Sequence, residues 1–189
     1  MKVFFNRYGY SIVKMFLYQF AISLFGTSLA MSTIATNNKT LTIVVSIFAV
    51  LFYLFLLYVL VWDIGAQDKV SVDVGKKLYK PFTGVVLALV ANALNFINAI
   101  LCSILALLAF FGAEGTGKVL SVITTLYRVI FEGMYLGLIT QLNIADKWWT
   151  YFVIIIPSII TASVAYLLGH KNIHFTSVVL YQDPKAKKK

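Results

Sequence analysis

Apolar residues run along this chain in long unbroken stretches separated by short polar breaks. Four stretches reach the ~20 residues that an apolar helix needs to cross a bilayer. They cover about 12–35, 41–64, 82–112 and 148–169. Within each, apolar positions are continuous rather than alternating, which predicts helices and argues against a barrel. The breaks have turn and loop chemistry. The segment 36–40 (Thr-Asn-Asn-Lys-Thr) is a tight turn, and its Asn38-Lys39-Thr40 sequon lies too close to the bilayer to be a good glycan acceptor. The segment 65–81 holds Asp68, Lys69, Asp73, Lys76, Lys77 and Lys80 and ends at Pro81. Glycines at 115 and 117 mark a further turn.

A fifth stretch, 118–142, is long enough to span but carries Arg128 and Glu132 near its middle. Ser121, Thr125, Arg128, Glu132 and Tyr135 fall at helical spacing on one face of this amphipathic helix. Two readings compete: a span with its polar stripe turned to other helices, or a helix that lies in the interface or dips in and returns.

Composition changes the picture in one respect. Of the 189 residues 60% are hydrophobic and 12% charged, against roughly 25% charged in ordinary soluble domains. Too little polar surface exists to cover that much apolar side chain in a soluble domain of this size. The expected fold class is therefore all-α integral membrane: a polytopic helical bundle of four spans plus an interfacial or re-entrant helix, with five spans as the alternative. Residues 1–169 form the bundle, and 170–189 form a basic cytoplasmic tail.

Charge placement favours the first topology. The formal net charge is +9. With four spans, the N-terminal Lys2, Arg7 and Lys14, the lysines of 65–81 and those after Gly169 share one side. Only Lys39, Lys118, Arg128 and Lys147 lie elsewhere. With five spans the tail changes sides and the bias nearly vanishes. Basic residues in short flanking loops set orientation, so the N-terminus is expected in the cytoplasm, in a bacterial cytoplasmic membrane. Lipids with anionic headgroups are the expected surface partners, and nucleic acid is not. Ser28-Leu29-Ala30 loosely resembles a cleavage site, but the apolar segment around it is too long for a signal peptide, so an uncleaved first span is expected.

Candidate chemistry concentrates in few places. Asn92, Asn95 and Asn98 recur every third residue along one side of the third span. Such amides must find partners in hydrocarbon, as interhelical glue or as the lining of a polar path. Arg128 and Glu132 stand four apart, as a mutually neutralised pair or as a gate or headgroup site. Gly133 and Gly137 form a small-residue motif for close helix approach. Gly26 and Ala30, with Gln19, Ser23 and Thr27, make a small and polar strip on the first span, expected to pack against the third. Pro157 should kink the last span, and Trp148 and Trp149 should anchor its start.

Other features carry less. His170 and His174 lie four apart without a third metal ligand nearby. Segment 173–181 is β-prone and too short to span. Asp63, Asp68 and Asp73 read as solvated loop charges. The lone Cys102 is a packing residue that cannot form an intrachain disulfide. No nucleophile elbow, metalloprotease motif, phosphate loop or dinucleotide fingerprint occurs. Neither enzymatic activity nor a cofactor nor a metal is therefore expected. The functional expectation is a membrane pathway for a small solute or ion, in a chain that is a homo-oligomer or binds a membrane-protein partner. The alternative is a structural or assembly subunit of a larger membrane complex.

Overall fold

The structure is a computed structural model, and it describes residues 2–111, 114–145 and 147–173. The described residues are helical with short connections and no strand. In chain order the helices are α1 (Lys2–Ala35), α2 (Lys39–Asp73), α3 (Thr83–Ala91), α4 (Ala93–Phe110), α5 (Glu114–Phe131), a 3-10 turn (Gly133–Tyr135), α6 (Leu136–Gln141), α7 (Thr150–Val153) and α8 (Ile156–His170). Three segments are long and apolar enough to cross a membrane: 4–35, 39–73 and 150–170. Two bent pairs, α3 with α4 at 57° and α5 with the segment 133–141 at 85°, bring the candidates to as many as five. The bundle is thus an all-α protein whose long apolar helices are consistent with a membrane location.

At 34 and 35 residues, α1 and α2 are each about 50 Å long. That exceeds the ~30 Å hydrocarbon core, so their ends can stand clear of it. The turn between them is tight: Asn37 takes a positive φ of 55°, and Asn38 caps α2 by accepting the Leu41 N–H at 3.0 Å. That cap occupies the side chain of the sequon asparagine. The second helix runs to Asp73, well past the predicted end at 64, so half of the expected loop is helix.

Small residues set the packing of α2, α3 and α8. A Cβ on Gly65 would meet the Tyr166 carbonyl oxygen, and one on Gly169 would meet that of Trp62. A Cβ on Gly84 would come within 2.7 Å of the Ala162 carbonyl oxygen. These contacts bring the three backbones together, as small-residue interfaces allow. They also fix direction. The α2 residues Tyr53 and Gly65 lie beside Ser158 and Tyr166 of α8, in the same order, so the two helices run the same way. The α3 helix opposes them, with Gly84 beside Tyr166, and Asn92 on a cavity shared with Ser158 and Ile155. The first helix also opposes α2, since Tyr8 near its start bonds Asp68 near the end of α2.

The third and last predicted spans are not continuous. The helix breaks at Asn92, between α3 and α4, instead of running unbroken from 82. Its amide donates to the Ala88 carbonyl oxygen at 2.9 Å, a local side-chain bond that competes with the helix ladder. The last span breaks at 154–155. Pro157 falls in the first turn of α8, just after this break, where its missing N–H costs nothing, so the irregularity expected at Pro157 takes the form of a break two residues before it within the candidate span 150–170. Met1, Gly112, Ala113, Asp146 and all of 174–189, with His174, most of the 173–181 segment and nearly all of the predicted basic tail, lie outside the described residues.

Candidate functional site

The centre of the bundle is a polar site built around the break at Glu132. The α5 helix ends at Phe131, and Glu132 leaves helical geometry at φ −121° and ψ 10°. A helix broken in an apolar interior frees backbone groups that must be bonded. The first helix supplies the partners at four-residue spacing. Gln19 Nε2 donates to the Phe131 carbonyl oxygen at 3.0 Å. Ser23 Oγ accepts the Gly133 N–H at 2.6 Å. Thr27 Oγ1 donates to the Val129 carbonyl oxygen at 2.6 Å. Gln19, Ser23 and Thr27 lie along one side of α1, so one stripe cradles the break. The strip was expected to pack against the third predicted span, which the first helix does touch at α3; among the described hydrogen bonds Gln19 joins that span at Asn95, and the cradling of the break was not foreseen.

The small residues make the cradle possible. Gly26 packs against the Met134 backbone, and Gly133 lies directly on Thr27 and Ser23. Gly137 lies on Ser46 and Thr42 of α2, and Ala30 is buried. All four therefore sit at contacts inside the chain.

The asparagines converge on the same place. Asn95 Oδ1 accepts from Gln19 Nε2 at 2.9 Å and from the Tyr127 hydroxyl at 2.7 Å. Asn95 Nδ2 donates to Asn92 Oδ1 at 2.7 Å. Asn98 Nδ2 donates to Glu132 Oε1 at 3.0 Å. All three asparagines and Glu132 are buried, Glu132 being only 3% exposed. The other carboxylate oxygen, Glu132 Oε2, has no hydrogen-bond partner, and neither does Asn98 Oδ1 or the Tyr135 hydroxyl. Glu132 borders a cavity of about 10 Å³, walled in part by polar groups such as Gln19, Asn92, Asn95 and Ser158 and in part by Met134, Ile154 and Ile155. That is room for about one water.

Arg128 does not neutralise Glu132 in the way the spacing suggests. Its Nη2 donates to Cys102 Sγ at 3.2 Å, and its guanidinium lies 4.1 Å from the centre of the Tyr151 ring. Among the described residues no ion pair joins the two. The break explains this: i, i+4 partners face each other only while the helix continues between and beyond them, and the chain leaves α5 at Glu132. The predicted polar stripe divides as well. Glu132 and Tyr135 are buried, whereas Ser121 and Thr125 are exposed.

A second polar cluster was not predicted. Asp68, expected as a solvated loop charge, is 2% exposed. Its Oδ2 accepts from the Tyr8 hydroxyl at 2.6 Å, from the Tyr166 hydroxyl at 2.8 Å and from Lys77 Nζ. Its Oδ1 faces Arg7 Nη2 at 3.0 Å. Lys77 also donates to the Tyr8 oxygen. Burial holds the Lys77 ammonium below the ordinary lysine value, against the opposing pull of Asp68. Asp63 and Asp73 are exposed, but both lie within α2 and not in a loop. The cluster ties α1, α2, α8 and the 74–82 connection together at one end of the bundle.

Among the described residues no group of three His, Cys, Asp or Glu side chains could hold a metal ion. His170 stacks edge-on against Tyr79 at 4.0 Å. Comparison with protein families, with curated proteins and with solved structures finds no match to this chain.

Proposed function

We propose that this protein is a non-enzymatic bundle that forms, or contributes to, a membrane pathway for a small solute or ion, with Glu132 at its centre. The observation that carries the reading is the Glu132 carboxylate oxygen, buried without a partner beside a small cavity of mixed polar and apolar lining. Intramembrane ionisable groups are costly, and functional sites are where they are kept. Discontinuous helices meeting near mid-depth are a common way for carriers to build such a site. Here the breaks at Asn92 and Glu132 both border one cavity. The alternative, an assembly subunit, draws less support, because Gly133 and Gly137 are occupied by internal contacts.

The topology proposed with this function has four crossings: α1, α2, α3 with α4, and α8. The segment 114–141 dips into the bundle and returns. The parallel run of α2 and α8 supports it, since a fifth crossing would reverse α8. The reading further places the N-terminus in the cytoplasm of a bacterial cell, with the basic ends on anionic headgroups. It leaves room for a second copy or another membrane protein as partner.

Cysteine labelling tests both parts at once. In a Cys102→Ser background, which keeps an acceptor for Arg128, cysteine at position 95 should react with a small polar thiol reagent within minutes. Silence there would sink the pathway. Cysteines replacing Lys76 and Lys171 should react with a membrane-impermeant reagent from the same side, and one replacing Lys39 from the other. Opposite sides for 76 and 171 would overturn the four-crossing topology.

A further inference from the structure

We infer that the Glu132 site binds one small, dehydrated monovalent inorganic cation. The inference rests on the pathway reading and names the class of ion at that site. It begins from the balance of hydrogen-bond donors and acceptors. Every amide nitrogen around the cavity already donates: Gln19 to Asn95 and Phe131, Asn95 to Asn92, Asn92 to Ala88, and Asn98 to Glu132. The polar groups left over near Glu132 are three oxygens, Glu132 Oε2, Asn98 Oδ1 and the Tyr135 hydroxyl, and one nitrogen, the Nε of Arg128. A buried site whose unpaired groups are mostly oxygens, one of them on a carboxyl group, is complementary to a cation.

Size and charge narrow the class. The cavity, at about 10 Å³, has room for one particle of about the size of water. In this closed form it does not admit an organic solute or a hydrated ion, so larger molecules reach it only when the bundle opens. A single carboxylate is a poor match for a divalent ion, since Ca²⁺ takes six to eight oxygen ligands and Mg²⁺ keeps several waters. Among the described residues that line the cavity, Glu132 is the one acidic side chain. Arg128 adds a positive charge nearby, which penalises a double charge further. Its guanidinium is directed to Cys102 and Tyr151, which leaves the free face of the Glu132 carboxylate to the cavity. Oxygen from a carboxylate, an amide and a hydroxyl is the hard ligand set that such ions take. The occupied site would also bridge the segment after the α5 break to α4, so ion binding would favour the closed bundle over an opened one.

The test uses the purified full chain in nanodiscs. Radioactive sodium should bind saturably, with one site per chain, and unlabelled Na⁺ or K⁺ should compete while N-methylglucamine does not. Thermal unfolding in NaCl, against N-methylglucamine chloride at equal ionic strength, should show a rise in Tm of about 5–10 °C at a hundredfold excess over Kd. Glu132→Gln keeps an acceptor for Asn98 and should lose both effects. Tyr135→Phe removes an oxygen that has no partner, so it should fold as the parent does and bind roughly tenfold more weakly. Absence of saturable binding to the parent protein overturns the inference, as does binding unchanged in both variants. Labelling at position 95 without cation binding removes the ion and keeps the pathway. Cation binding with position 95 silent keeps the ion site and removes the pathway.

Discussion

Replacing Asp68 with alanine should destabilise the folded protein by about 3 kcal/mol, read as a loss of stability in denaturant or heat. Asp68 is the common acceptor for Tyr8, Tyr166, Lys77 and Arg7. Its removal strands the Lys77 ammonium, whose side chain is only 14% exposed, without its counter-charge. Losing one partner of a buried pair costs more than the pair itself contributes, because a desolvated charge remains. The figure sits at the low end of the usual range because Arg7, 36% exposed, is screened by water and adds little. The loss should also be local at first, releasing the 74–82 connection and the start of α1 from α2 and α8. Hydrogen exchange should therefore rise in residues 4–10 and 74–80 before it rises around Glu132. A fall of less than 1 kcal/mol would show that Asp68 is solvated after all.

Gly133→Val should destabilise by about 3 kcal/mol or more. A Cβ at Gly133 falls onto Thr27 Oγ1 and within 2.6 Å of the Ser23 carbonyl oxygen. The first of these is a side chain with a task of its own, since it bonds the Val129 carbonyl, and the second is backbone of α1. Relief requires α1 to move away from the break. That motion lengthens the Gln19, Ser23 and Thr27 bonds together and exposes freed backbone groups to an apolar interior. Gly9, whose Cβ would meet nothing, is the control: Gly9→Ala should leave stability unchanged or raise it slightly, because Gly is the poorer helix former. Comparable losses at both positions, measured by thermal unfolding in detergent, would mean that helix propensity and not the cradle sets the cost.

The long helices could be read from hydropathy because lipid imposes one rule on every span: backbone polar groups must bond within the segment. The asparagine run was legible for a similar reason, since three amides at a spacing of three stand on one side of any helix. What the spacing could not reveal was their partners. Gln19 lies 76 residues from Asn95, and Glu132 lies 34 from Asn98. The Arg128 and Glu132 pairing failed because an i, i+4 rule assumes an unbroken helix. The break has no proline, and only the satisfaction of its backbone by α1 makes it tolerable.

Asp68 misled in the opposite sense. Five basic and acidic neighbours from Lys69 to Lys80 make a hydrophilic segment, and hydrophilic segments read as solvated. Its burial depends on Tyr8, 60 residues earlier, and Tyr166, 98 residues later. Neither tyrosine differs in sequence from an exposed one such as Tyr10. The strip on α1 was visible as small and polar, but its function needs the carbonyls of a helix that breaks more than a hundred residues away.

Glu132 as a polar site within reach of water from the membrane surface is best tested by side-resolved modification of that position. Glu132→Cys in the Cys102→Ser background, in sealed vesicles of known orientation, is treated from each face with a small cationic, membrane-impermeant thiol reagent. The account predicts modification from at least one face, slowed by added Na⁺ or K⁺ only where the carboxylate is retained, as read with cysteine at position 95. No modification from either face, in a protein that remains folded and reacts once denatured, would contradict it and leave the buried carboxylate as a structural element alone.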